Sequence, residues 1–199
     1  MMQDIFVLSI LNGKENGTYL EFGAAEFDFN NNTYLLEKNY NWTGLSIDYD
    51  EEKVNIFNDN RKNKCIYGNA LDINYDSDFF KQITNNNRID YLQLDLDPNT
   101  ITLEVLKKLP LDKIRFSIIT FEHDKYYTND GVQNESREIL INNDYLLVGK
   151  DICCSLYLPF EDWYVDKKIL NNEIISIINK LFISNKYNGD VNKIFYENK

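Results

Sequence analysis

Two short acidic runs, Asp95-Leu96-Asp97 and Glu122-His123-Asp124, each close an apolar segment of the chain. Two carboxylates at one strand end can raise each other's pKa or share a hard divalent cation such as magnesium through oxygen ligands. His123 is the chain's one histidine, and imidazole is the side chain that titrates near neutral pH. These residue types predict general acid–base work by His123, Asp95 and Glu122. Asp95, Asp97 and His123 are the candidate metal ligands, and Asp97 and Asp124 the candidate substrate contacts. The alternative for His123 is a buried, hydrogen-bonded structural histidine.

A second constellation lies nearer the amino end. The run Thr18-Tyr19-Leu20-Glu21-Phe22-Gly23-Ala24-Ala25 is an apolar strand that ends in Glu-x-Gly, and Asp48 closes the next apolar run 25 residues after Gly23. Glycine lets backbone approach a ligand where a Cβ would collide, and an acid at about 20 residues' spacing accepts hydrogen bonds from a ribose diol. Together they describe a nucleoside cradle made by Glu21, Gly23, Ala24 and Asp48. A dinucleotide site would carry Gly-x-Gly-x-x-Gly, but no later glycine follows Gly23 before Gly44. The turn therefore offers few close N–H groups for a pyrophosphate. A nucleoside cofactor without phosphates, S-adenosylmethionine, suits it better. Asn69, Ala70 and Asp72 follow the next apolar run and are placed to meet an adenine edge. Asn69 and Asp72 equally suit a helix cap.

The elements that must position these residues alternate. Strands are expected at 18–22, 43–47, 64–67, 88–95, 114–121, 145–150 and 153–158. Helices are expected at 4–12, 32–40, from 50, at 76–84, 100–108, 135–142 and 168–182, with a polar loop at 125–134. Such alternation argues a parallel, doubly wound α/β sheet, which binds ligands at the carboxyl ends of its strands. Every strand-end signal here is polar or acidic. The segment 160–166, Phe-Glu-Asp-Trp-Tyr-Val-Asp, reads as a loop able to fold over the site. Asp162 and Trp163 are then candidate substrate contacts, or Trp163 is an apolar anchor.

Bulk properties narrow the partners. At 199 residues the chain fits one domain, 1–199. It divides into a leading helix (1–15), a core sheet (16–158) and an active-site segment with the C-terminal helix (159–199). The net charge of −11 disfavours nucleic acid and an anionic membrane surface. No signal peptide is evident, and no apolar run is long enough to span a bilayer. Three cysteines without a CxxC pair support neither a disulfide frame nor a zinc site. A cytoplasmic domain acting on a small molecule is expected. The oligomeric state stays open, with a homodimer through the C-terminal helix as one option.

In these residues the sequence resembles the FkbM-like group of class I S-adenosylmethionine-dependent methyltransferases. The carriers run from Asn16 to about Asp166: Asn16-Gly17-Thr18-Tyr19-Leu20-Glu21-Phe22-Gly23-Ala24, Asn32 to Lys38, Trp42 to Asp48, Ile89 to Asp97, Phe121-Glu122-His123, Ser136-Arg137 and Glu161-Asp162-Trp163. The resemblance implies a Rossmann-like, mostly parallel seven-stranded sheet with helices on both faces. It also implies O-methylation of a sugar, nucleotide-sugar or similar polyhydroxylated glycan precursor. Glu21 and Gly23 would sit at the methionine end of the cofactor, Asp48 at the ribose, Asp72 beside the adenine and Asp95 at the methyl-transfer centre. Two departures are the Ala24-Ala25 turn and Asp97-Pro98, where the group often has Glu-Gly. The rival expectations are a nucleotide-sugar oxidoreductase or epimerase on the same scaffold, and an inactive interaction module.

Overall fold

The computed structural model describes residues 2–28, 30–84, 86–127, 131–153, 158–183, 190 and 195. Apolar, β-branched and aromatic residues build seven strands: β1 (Thr18–Phe22), β2 (Thr43–Asp48), β3 (Lys64–Tyr67), β4 (Arg88–Leu94), β5 (Arg115–Glu122), β6 (Tyr145–Ile152) and β7 (Glu161–Asp166). They form one sheet in the order β3-β2-β1-β4-β5-β7-β6. All neighbours are parallel except β7, which is antiparallel to β5 and to β6. The doubly wound α/β expectation is met.

Helices cover both faces, which is what buries a parallel sheet. One face carries α1 (Gln3–Ile10), α2 (Tyr34–Tyr40), α3 (Glu51–Asn60) and α7 (Asn172–Ile178). There Phe6, Tyr19, Tyr91, Trp163 and Ile178 share a core, and Val54 and Phe57 close on Cys65. The other face carries α4 (Ser77–Lys81), α5 (Asn99–Lys108) and α6 (Gly131–Asn142). Its core joins Phe79, Leu106 and Leu140 to Phe22, Leu94 and Tyr164. Side-chain caps start several of these helices: Asp50 accepts from the amides of Glu52 and Lys53, and Asp76 from those of Asp78 and Phe79. No helix among the described residues is long and apolar enough to cross a membrane.

Two expectations at the carboxyl-terminal end are corrected. The segment 160–166 is no covering loop: Glu161–Asp166 is the inner antiparallel strand β7, buried along its whole length. The strand expected at 153–158 falls mostly outside the described residues. Ile152 ends β6, Cys153 makes an isolated bridge to Asp190, and 154–157 lie outside the described residues. Three acids in six residues of β7, Glu161, Asp162 and Asp166, hid the strand from a hydropathy reading. Three arginines make it possible. Arg115 and Arg88 meet Asp166 at 2.6 and 2.9 Å, and Arg137 meets Asp162 at 2.7 Å. The helix expected at 168–182 is broken into a short 3₁₀ turn, α7, and a π turn at Asn179–Ile183.

Candidate functional site

The turn after β1 is built by close approach. Gly23 has φ +79°, and a Cβ on it would lie 1.7 Å from the Asp95 carbonyl oxygen. Only glycine lets the ends of β1 and β4 meet this way. Ala25 also takes a left-handed φ of 50°, costly for a residue with a side chain. Its amide donates to Asp48 Oδ2 at 2.9 Å, while Asp48 Oδ1 accepts from the Asp50 amide at 2.9 Å. Two amide donors thus fix the carboxylate of Asp48 at the mouth of the sheet.

An open cleft runs along this edge. One part, about 270 Å³, has apolar walls from Ile47, Ala70, Leu96 and Ile101, with Asp48, Asn69 and Asp97 at its rim. The adjoining part, about 280 Å³, is lined by Gly23, Ala25, Asp48, Lys53, Asp95 and Asp97. Asp48, Tyr49, Leu96 and Asp97 border both, so the two are continuous. Gly23, Asp48, Asn69, Ala70, Asp95 and Asp97 are therefore brought together as the spacing suggested. Asn69 also caps: its Oδ1 accepts from the Leu71 amide at 3.0 Å. Asp72 is exposed on the 3₁₀ turn Ala70–Asp72 and does not line the cleft. The adenine-side expectation for it is not met.

Glu21 and Ala24 lie beneath the cleft instead of in it. The Glu21 carboxylate is 1% exposed. It accepts from Ser46 Oγ at 2.6 Å, Asn31 Nδ2 at 3.0 Å and Thr33 Oγ1 at 3.1 Å. Burial pushes its pKa up to about 7 against these donors and the nearby Arg61. Ala24 packs against Val54, Phe57 and Cys65, and its carbonyl accepts from Asn31. Both residues shape the turn and neither reaches the cofactor space.

Beyond Asp95 the edge turns acidic. Glu122 ends β5 opposite Glu161 of β7. The carboxyl groups of Asp95, Glu122 and Asp124 crowd one another at this edge. Burial and the neighbouring acids raise the pKa values of Asp95 and Glu122, Glu122 far more than Asp95. Glu122 Oε2 is buried without a hydrogen-bond partner. Glu161, fully buried behind it, is pushed up to about 8 by desolvation. Its donors are the indole N–H of Trp163 and, at 3.3 Å, Gln3 of α1.

His123 faces away from this group. Its ring is fully buried. Nδ1 accepts from the Lys125 amide at 3.2 Å, and Nε2 lies 3.0 Å from Gln133 Nε2 and 3.6 Å from Asp162 Oδ1. An imidazole committed on both nitrogens and closed to solvent is a structural histidine, so the general-base expectation is corrected. The metal expectation for Asp95, Asp97 and His123 fails on the same geometry. Among the described residues, one acid–histidine set has mutually close ligand atoms: His123, Asp151 and Asp162. There a cation is already built in. The Arg137 guanidinium donates to Asp162 at 2.7 and 2.9 Å and to Asp151 at 2.9 Å.

Asp162 and Trp163 are not substrate contacts either. Asp162 is 0% exposed under Arg137, and Trp163 stacks on Phe6 at 4.6 Å in the core. The positions missed in the sequence are those that hold others in place: Asn31, Thr33, Arg61, Gln133 and Arg137. An arginine needed opposite each acid of a strand-like alternation, Asp162 and Asp166, was the one available signal.

No protein-family model matches the sequence, and no curated protein matches it. Solved structures do match by shape. A candidate rRNA-methylase from Clostridium thermocellum superposes with TM-score 0.54 at 12% identity, over 82% of this chain and 92% of that one. A SAM-dependent methyltransferase from Aquifex aeolicus gives 0.51 at 15%, over 83% and 92%. Precorrin-6y C5,15-methyltransferase from Geobacter metallireducens gives 0.51 at 12%, over 81% and 86%. The fold is that of the S-adenosylmethionine-dependent methyltransferases.

Proposed function

We propose that the chain is an S-adenosylmethionine-dependent O-methyltransferase of the FkbM-like kind. Its acceptor on this reading is a hydroxyl of a sugar or similar polyhydroxylated small molecule. The observation that carries the reading is the continuous cleft from Asn69 past Asp48 and Gly23 to Asp95 and Asp97. Its residues fit the cofactor. The apolar walls of Ile47, Leu96 and Ile101 suit a planar base, Asp48 suits a ribose diol, and the glycine-poor turn offers no cradle for pyrophosphate. Bound there, the cofactor supplies an electrophilic methyl group on sulfonium.

The protein's share is positioning and proton removal. Gly23 and Asp95 are locked together by backbone packing, so the acid at the end of β4 is held at a fixed distance from the cofactor turn. Asp95, the more acidic member of its pair, accepts the proton of the attacking hydroxyl. Glu122, raised far more by burial and the neighbouring acids, stays protonated beside it. Asp97 and Asp124 flank the acceptor end, and the acidic character there favours a neutral acceptor over a phosphorylated one. The net charge of −11 supports a small-molecule acceptor over nucleic acid in the same way.

The test is ligand stabilisation. S-adenosylhomocysteine at a hundred times its Kd should stabilise the protein by about 2.7 kcal/mol, seen as a rise in Tm, while NAD should not. Stabilisation by NAD alone would favour the oxidoreductase or epimerase reading. No response to either would favour an interaction module.

A further inference from the structure

We propose that Arg61, which lines no part of the cleft, is a positioning residue for the cofactor turn. The inference rests on the reading that the cleft holds S-adenosylmethionine. In the methyltransferase reading the turn should be shaped by glycine, but residues 24 and 25 are alanines and Ala25 sits at φ 50°. Something other than backbone freedom must hold that shape.

The hydrogen bonds lead to Arg61. It follows the last turn of α3 and is 8% exposed, with its guanidinium over the Phe57 ring at 4.5 Å. Nε and Nη2 reach Glu37 Oε2, each at 2.9 Å. Nη1 donates to the Phe27 carbonyl and to Asn31 Oδ1, both at 3.0 Å, and Nη2 to Thr33 Oγ1 at 3.2 Å. One cation thus ties residues 27, 31 and 33 of the β1–α2 connection to α2.

Asn31 passes the constraint on. Its Oδ1 is held by Arg61, and its amide nitrogen donates at 3.0 Å to both the Ala24 carbonyl and Glu21. The amide of the next residue, Ala25, holds Asp48. A single side chain, Asn31, therefore stands between Arg61 and the peptide that aims the ribose-binding acid. The planar fork of arginine makes these bonds at once, in directions a lysine ammonium on a single-chain stem cannot match. Arg61 replaces with side-chain hydrogen bonds what glycines would supply by conformational freedom.

The experiment titrates S-adenosylhomocysteine calorimetrically into the wild type and into Arg61→Lys, Asn31→Ala and Leu140→Ala. Leu140 is a fully buried residue of α6 on the opposite face, and its truncation controls for lost stability alone. All titrations are run well below every variant's Tm. Arg61→Lys keeps the charge beside Glu37 and should still weaken binding about tenfold or more. Asn31→Ala, which leaves the Arg61–Glu37 pair intact, should weaken it similarly, and Leu140→Ala should bind as the wild type does. Wild-type affinity in Arg61→Lys overturns the inference, as does an equal loss in Leu140→Ala. Should Arg61→Lys fail to fold, Asn31→Ala decides alone: weakened binding supports the role and wild-type affinity overturns it. A wild type that does not bind at all sinks the cofactor reading itself, which is a separate and distinguishable result.

Discussion

Glu161 and Asp162 are consecutive residues of β7, both fully buried, and the protein neutralises them by opposite means. Asp162 faces α6, where Arg137 and His123 outweigh the burial that would raise it and hold its pKa at about 2. Glu161 faces α1 with only neutral donors, and desolvation raises it to about 8. The same contrast divides the carboxyl edge of the sheet. Under the β1 turn, Glu21 is satisfied by three side-chain donors and lies near Arg61. Past β4, Asp95 and Glu122 are raised by burial and by neighbouring acids, with no arginine bonded to either among the described residues. Asp162 and Asp166, matched by arginine, are scaffold, whereas Asp95, raised without such a partner, lines the cleft.

The largest effect should come from turning one kind into the other. Arg137→Met leaves Asp162 buried without its cation, which costs about 3–5 kcal/mol for pairs of this type. Urea unfolding at pH 7 should show that loss. The difference from the wild type should shrink at lower pH, where an unpaired Asp162 can take up a proton. A loss below about 0.5 kcal/mol, within the range of ordinary surface changes, would mean that Arg137 is no more than an exposed ion-pair partner.

The converse change is smaller and has a pH signature. The folded pKa of Glu161 lies above its unfolded value, so the folded state holds a proton that the unfolded state releases between roughly pH 4.5 and 8. That contribution is complete below the unfolded pKa and is lost as pH rises through about 8. Glu21, at about 7, adds in the same direction. Glu161→Gln mimics the protonated form, and its new amide can donate to Gln3 Oε1, which has no partner in the described structure. The variant should lose stability less steeply between pH 5 and 8, ending more stable than wild type at pH 8 by on the order of 2 kcal/mol. Parallel curves for the two proteins would show that Glu161 is ionised throughout and break the comparison.

The sheet was readable in the sequence because its first five strands are apolar runs with polar ends, and periodicity reports that directly. Gly23, Asp48, Asp95 and Asp97 were readable for the same reason: strand ends in a parallel sheet converge. β7 was not, because Asp162 and Asp166 are tolerable only opposite Arg88, Arg115 and Arg137, which are distant in sequence. His123 was misread on residue type. Its neighbours in the fold, Gln133 and Asp162, fix its role, and neither is near enough in the chain to signal it. Arg61 stood in the sequence as part of a short basic cluster and proved to be buried.

The smallest effect tests how rigidly the scaffolded half is held. Ala25 pays for a left-handed backbone that glycine adopts freely, a penalty of about 1–2 kcal/mol offset in part by the extra freedom glycine gives the unfolded chain. Ala25→Gly should therefore raise stability by about 0.5–1 kcal/mol, measured by chemical denaturation. Its amide can still donate to Asp48, so S-adenosylhomocysteine affinity should stay near wild type as long as Arg61 and Asn31 hold the turn. In an Asn31→Ala background the same change should release the turn altogether and weaken binding further than Asn31→Ala alone. If Ala25→Gly by itself weakens binding, the strained alanine holds the turn, and the hydrogen-bonded scaffold beneath it contributes less than its geometry suggests.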